Sequence, residues 1–350
     1  MAAFTAIDNA GAYQSTVLYS YATSPNAITG VGFSPDFVSL KSISGTSGGN
    51  NWYIADTVGG NTKTTRWNDN TGYATTTDSI LSFDSDGYTL GADSTANCNA
   101  TGTNYVGYQW KAGTTSGIAT DGNTDITPSS YSFDQTAGIS ILKYSGSGAV
   151  EQLAHGLGAV PAFGLFKVTN TTDDWTVYHH SIPNTKYMEL NTAQATITSS
   201  DRWNDTTPDS VNFTLGGAGG TNGSGNDYIA YCFAEKQGYS KFGSYLGNGD
   251  ATHGPFIYTG FRPAWVLIKI TAISAWTAMD NKRPGYNPTG ETGTYSIPNT
   301  SAAEYSNLGL DFNCNGFKIY DNDSEWNHSG GGFIYAAFAE SPLCNSNGVP

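Results

Sequence analysis

The residues best suited to chemistry are a recurring tetrapeptide, Arg66-Trp67-Asn68-Asp69 and Arg202-Trp203-Asn204-Asp205, and a loop tryptophan in Glu325-Trp326-Asn327-His328. An indole face stacks on a pyranose ring while a neighbouring amide takes its hydroxyls, so Trp67, Asn68, Trp203, Asn204, Trp326 and Asn327 are candidate sugar contacts. The competing reading is that each indole plugs its own loop, because large aromatics are highly buried on average. The two tetrapeptides also lie at different distances from the next shared strand, which argues against their equivalence.

Other constellations are weaker. Asp84-Ser85-Asp86-Gly87 and Asp321-Asn322-Asp323-Ser324 offer oxygens to Ca²⁺ but lack the spaced acidic ligands and terminal Glu of a calcium loop, so a tight turn explains them better. His155, His179, His180, His253 and His328 form no H-x-x-x-H pattern, which argues against a metalloenzyme helix. Cys98, Cys232, Cys314 and Cys344 are far apart with no C-x-x-C spacing; Cys232, inside Tyr228–Phe233, reads as a buried thiol. No catalytic residue, metal or cofactor is expected. A glycan-degrading enzyme, a rival reading, would need two carboxylates about 5 to 9.5 Å apart.

The elements that must carry these residues occur three times. Around one proline the chain reads Gly32-Phe33-Ser34-Pro35-Asp36-Phe37, Gly158-Ala159-Val160-Pro161-Ala162-Phe163 and Gly260-Phe261-Arg262-Pro263-Ala264-Trp265, with Lys41, Lys167 and Lys269 following each proline by 6 residues. A second strand then carries Trp52, Trp175 or Trp276 four residues before Asp56, His179 or Asp280. A third recurs as Asp86-Gly87-Tyr88-Thr89-Leu90, Val211-Asn212-Phe213-Thr214-Leu215 and Asn315-Gly316-Phe317-Lys318-Ile319, and closing strands end at Trp110, Phe233 and Phe338. Such repetition predicts three tandem units. Short alternating runs between turn clusters predict antiparallel β-sandwich (jelly-roll-like) modules. The expected division is an arm at 1–12, modules at 13–112, 131–237 and 238–342, a Gly/Thr/Ser-rich linker at 113–130 and a tail at 343–350. The run Trp265–Lys269 alternates poorly, so its strand is expected to be covered on both faces.

Composition agrees with an all-β chain. Only 13% of the 350 residues are charged, against a usual ~25%, while 43 are Gly and 13% are aromatic. A net charge of -14 disfavours nucleic acid and anionic lipid. No apolar run approaches the ~20 residues of a membrane span and no classical signal opens the chain, so membrane insertion is not expected.

The proline-aromatic unit with its following Lys, Trp, Asp/Asn-Gly-aromatic strand and closing Phe338-Ala339-Glu340 resembles the repeat module of tailed-phage virion proteins common in marine phages. The segment Gly254–Val266 with Asp280-Asn281-Lys282-Arg283 carries the resemblance best, and the likeness runs from about Tyr13 to Pro342. The first unit departs from it, being longer and ending Trp110-Lys111-Ala112. The resemblance implies concanavalin-like sandwiches in a virion protein assembled in the host cytoplasm, without catalytic residues. Its expected role is a tail fibre or surface appendage touching host-surface polysaccharide, with capsid decoration or tail assembly as the rival. Other virion proteins are the expected partners, attached through the units or the short arm, and a homo-oligomer, by analogy a trimer, is expected.

Overall fold

A strand that is apolar without alternation needs cover on both faces, and the strands after the three prolines have it. Phe37–Gly45, Phe163–Val168 and Arg262–Ile270 are buried along nearly their whole length. The computed structural model describes residues 7–95, 97–283 and 293–341. Residues 1–6 of the expected arm, the tail at 343–350 and Cys344 lie outside the described residues. The chain is all-β, built from several antiparallel sheets, and the one helical element among the described residues is the 3-10 turn Ala10–Ala12.

Three sheet sets share one strand order: opening strand, closing strand, proline strand, tryptophan strand. In the first set these are Gln14–Ser20, Thr103–Trp110, Phe37–Gly45 and Tyr53–Asp56; in the second Ile139–Ser145, Asp227–Phe233, Phe163–Val168 and Thr176–His179. The third uses Ser240–Leu246, Gly332–Ser341, Arg262–Ile270 and Trp276–Asp280. The register repeats as well. The closing aromatic faces the proline-strand aromatic in every set, as Phe37↔Trp110, Phe163↔Phe233 and Trp265↔Phe338. Behind each main sheet lies a smaller one: Asn26–Ile28, Gly87–Leu90 and Ile80–Asp84; Glu151–Ala154 and Asn212–Leu215; Phe256–Tyr258, Gly316–Ile319 and Leu310–Asn313.

The cores are not three separate ones. Two clusters fill the spaces between main and outer sheets of the first and second sets, but the largest draws on all three sets and includes the third set's own interior. At its centre Trp110 lies 5.5 Å from Trp265, 5.6 Å from Phe338 and 6.5 Å from Phe233, and Phe233 lies 5.6 Å from Phe338. A void of about 20 Å³ remains among these rings. Each such aromatic pair adds about 0.5–1.5 kcal/mol beyond area burial. Ile7 and Ala10 also join this cluster, so two residues of the described part of the arm belong to the core.

The segment 113–130 is docked against the second set. Thr114 bridges to Phe133 and Ile126 to Leu153, Ile118 and Ile126 pack on that set's interior, and the Asn212 amide donates to Asp121 Oδ1 (2.9 Å). Linker composition describes its Gly and Thr content, whereas its two isoleucines give it apolar surface to bury.

Because the central cluster belongs to all three sets, Trp110→Ala is expected to cost about 3–5 kcal/mol and to lower one shared unfolding transition in denaturant. Three separable transitions, only one of them shifted, would contradict a common core.

Candidate functional site

A buried indole usually finds an acceptor for its N–H; those of Trp67, Trp110 and Trp265 have none among the described residues, whereas three tryptophans find theirs in a neighbouring set. Trp52 donates to the Ile297 carbonyl (3.2 Å), Trp175 to that of Arg66 (2.7 Å) and Trp276 to that of Glu189 (2.8 Å). First reaches third, second reaches first and third reaches second, so the contacts close a ring. Two residues after each acceptor stands an asparagine whose Oδ1 accepts the backbone N–H of its own set's tryptophan. These pairs are Asn68 with Trp52 (2.9 Å), Asn191 with Trp175 (2.8 Å) and Asn299 with Trp276 (2.9 Å).

The residue four places after each tryptophan closes the same ring in three chemical versions. Tyr108 donates its hydroxyl to Asp280 (2.9 Å), Tyr231 donates to Asp56 (2.7 Å), and the Nε2 of His179 lies 3.1 Å from the Tyr335 carbonyl. Asp280 is further met by the buried Arg283 guanidinium at 2.6 Å. Burial raises the Asp56 carboxyl, opposed by the Tyr231 hydroxyl and the Gly59 amide. Lys41, Lys167 and Lys269 are fully buried. Their ammonium groups donate to carbonyls, among them Ser301, Asn70 and Ala272. Burial pushes Lys41 down to about 7 and the other two to about 8.

The candidate sugar contacts are corrected by burial. Trp67, Trp203 and Trp326 are 2%, 0% and 1% exposed, so none offers a ring face to a pyranose. Trp67 packs on Trp52 and Phe37 in the shared core. Trp203 fills the second set's interior between Phe166, Tyr178 and Phe213, with its N–H donated to the Lys186 carbonyl (3.1 Å). Trp326 packs on Tyr295 and donates to Asp321. Asn68 serves the ring, and the buried Asn327 ties the Asn248–Asp250 turn to Asp321. Asn204 alone is exposed, in a left-handed turn at φ 48°. The two tetrapeptides are not equivalent: the ring counterparts of Arg66-Trp67-Asn68 are Glu189-Leu190-Asn191 and Ile297-Pro298-Asn299, which share only the asparagine.

The remaining candidates serve turns. Asp86 accepts the Gly32 and Gly30 amides (2.6 and 3.1 Å), and Asp321 and Asp323 accept amides of their own loop. His155 is buried against the Asp209 carbonyl, while His253 lies exposed, so their loops are not alike. Cys98 and Cys232 are buried and Cys314 is exposed. Among the described residues no three His, Cys, Asp or Glu side chains converge.

Three of the exposed aromatics among the described residues lie elsewhere, on or just past the third set's outer sheet. Phe256, Tyr258 and Tyr320 are 46%, 66% and 43% exposed, beside an open groove of about 550 Å³ lined in part by Phe256, Lys318, Tyr320 and Asn313. The repeats hold the signal for them: the equivalent places carry Ala27 and Gln152, Thr29 and Ala154, and Gly91 and Gly216, none of them aromatic.

Residues 9–342 match a family described as a domain of unknown function (DUF7483), and the chain belongs to that family. No curated protein and no solved structure matches it.

Two outcomes follow from the placements. Asn68→Ala leaves the Trp52 amide without its acceptor and is expected to cost about 1–3 kcal/mol, whereas Asn204→Gly at its left-handed position should stay within about 0.5 kcal/mol; equal losses in urea unfolding would refute the distinction. Burial lowers the imidazoles of His155 to about 4 and His179 to about 3. The unfolded chain therefore takes up protons first, and the stability these groups contribute is complete above about pH 6.5 and drains away toward pH 3. The melting temperature should fall across that window, and a slope that His179→Asn leaves unchanged would show that His179 does not contribute.

Proposed function

We propose that this member of the family is a non-enzymatic structural protein of a tailed-phage particle, made of three tandem β-sandwich modules. Its favoured place is a tail fibre or similar surface appendage that touches host-surface glycans. The observation that carries the reading is the ring itself. The Trp, Asp and His residues with the strongest chemistry join one sheet set to the next, as do two of the three buried lysines, Lys41 and Lys167, which suits a rigid carrier rather than a reaction centre. The outer sheets and loops remain on the outside of that carrier, where weak contacts repeated over several copies gain by avidity.

In this reading copies of the chain associate through surfaces outside the ring, because the faces that join the three sets already occupy one another. The partners are other virion proteins at one end and a polysaccharide at the outer surface. The resemblance of the repeat units to phage virion modules supports the placement in a particle, and the shared core supports a shape that holds its outer sheets in fixed directions.

Gold-labelled antibody against this protein, applied to intact particles, is expected to decorate the tail. Label spread over the capsid lattice would move the protein to the decoration role, and particles that lack it would end the virion reading.

A further inference from the structure

The third set's outer sheet differs from the other two at four positions that the fold does not need. Where it has Phe256, Tyr258, Lys318 and Tyr320, the first set has Ala27, Thr29, Thr89 and Gly91, and the second has Gln152, Ala154, Thr214 and Gly216. The same sheet therefore forms with small or polar residues there. Large aromatics left 43–66% exposed gain little from folding, so their presence calls for another cause.

Their placement is regular. Phe256 and Tyr258 alternate with the buried Ile257 and point from one face, about 7 Å apart along the strand. Phe256 stands opposite Lys318, and the Ile319 amide donates to the Pro255 carbonyl (3.1 Å), which carries the register on to set Gly254 opposite Tyr320. Tyr258, Phe256 and Tyr320 thus follow one another at successive two-residue steps. Beside Tyr258, the neighbouring strand has Gly316, where a Cβ would meet the Ile257 carbonyl at 2.1 Å, and beyond it the half-buried Asn313.

The charges on this face are compensated. Arg262 pairs with Glu340 at 3.2 Å, Lys318 neighbours Asp311 in register and donates to the Gly254 carbonyl, and Asp311 bonds the Tyr320 hydroxyl. A chain carrying -14 overall also repels an acidic polymer. Exposed rings at successive rows, one of them, Tyr320, with the Lys318 ammonium 5.8 Å from its centroid, an amide at the side and no net charge match an uncharged chain of hexopyranoses, whose C–H faces stack on aromatics while its hydroxyls bond amides.

We infer that the Phe256–Tyr258–Tyr320 face binds a neutral polysaccharide, which rests on the glycan-contact reading above and names its site and ligand class. The test is affinity electrophoresis of the full chain in gels containing dextran, galactomannan, xylan or polygalacturonate. The natural protein is expected to be retarded by at least one of the neutral polymers. The variants Phe256→Ala, Tyr258→Thr and Tyr320→Gly, which install residues already borne at equivalent places, should weaken retardation about tenfold or more when combined. Their melting temperature should not change. Retardation that survives in the triple variant overturns this site while leaving the glycan reading in place. Retardation by polygalacturonate alone overturns the neutral ligand, and no retardation in any gel overturns both this inference and the glycan contact.

Discussion

The structure depends on satisfying three buried indole N–H groups across the boundaries between sheet sets. Trp52, Trp175 and Trp276 stand at the start of strands covered on both faces, where there is no water to donate to and the sheet's own carbonyls are taken by the ladder. Trp52, Trp175 and Trp276 each reach a carbonyl of the neighbouring set, and because the direction is the same each time the chain closes on itself. Once closed, the ring brings the inner faces of the main sheets together, and the aromatic cluster around Trp110, Phe233 and Phe338 becomes a core that no single set possesses.

That constraint explains which parts of the repeat are kept and which vary. The asparagine two residues after each acceptor is the same in all three sets, since it holds the strand that carries the indole. The residue between them is Trp67, Leu190 or Pro298, with only the requirement to be apolar. The position facing the next set's closing strand varies in chemistry but stays polar. Asp56 has a phenol, Asp280 a phenol and a guanidinium, and His179, opposite a strand with Ala336 in place of tyrosine, a backbone carbonyl. A buried carboxylate without a donor is costly, and a neutral imidazole avoids that cost where the phenol is missing.

Much of the strand content was legible from residue spacing. The proline strands, the tryptophan strands and the closing aromatics stand where the repeats place them, and the missing alternation in Trp265–Lys269 foretells burial on both faces. The candidate site was not legible. Trp67, Trp203 and Trp326 have the polar neighbours of a sugar platform, but Asn68 and Asn327 turn inward to cap backbone, and side-chain direction is not written in composition. The different distances of the two Arg-Trp-Asn-Asp segments from the next shared strand did separate them, and the ring role they would have shared keeps only the asparagine, as Asn68, Asn191 and Asn299.

By itself the sequence determined an all-β chain with a thrice-repeated strand pattern, because period, proline placement and turn residues act locally and recur at each copy. Only the tertiary structure decided that the copies share a core, that the conspicuous tryptophans are internal and that Phe256, Tyr258 and Tyr320 are external. Those outcomes depend on which set lies against which, a relation between residues separated by 245 positions in the chain for Trp52 and Ile297 and 260 for Lys41 and Ser301. The shortage of charge takes its physical meaning there as well: surfaces that must close on one another three times leave little room for ions that would have to be desolvated and paired.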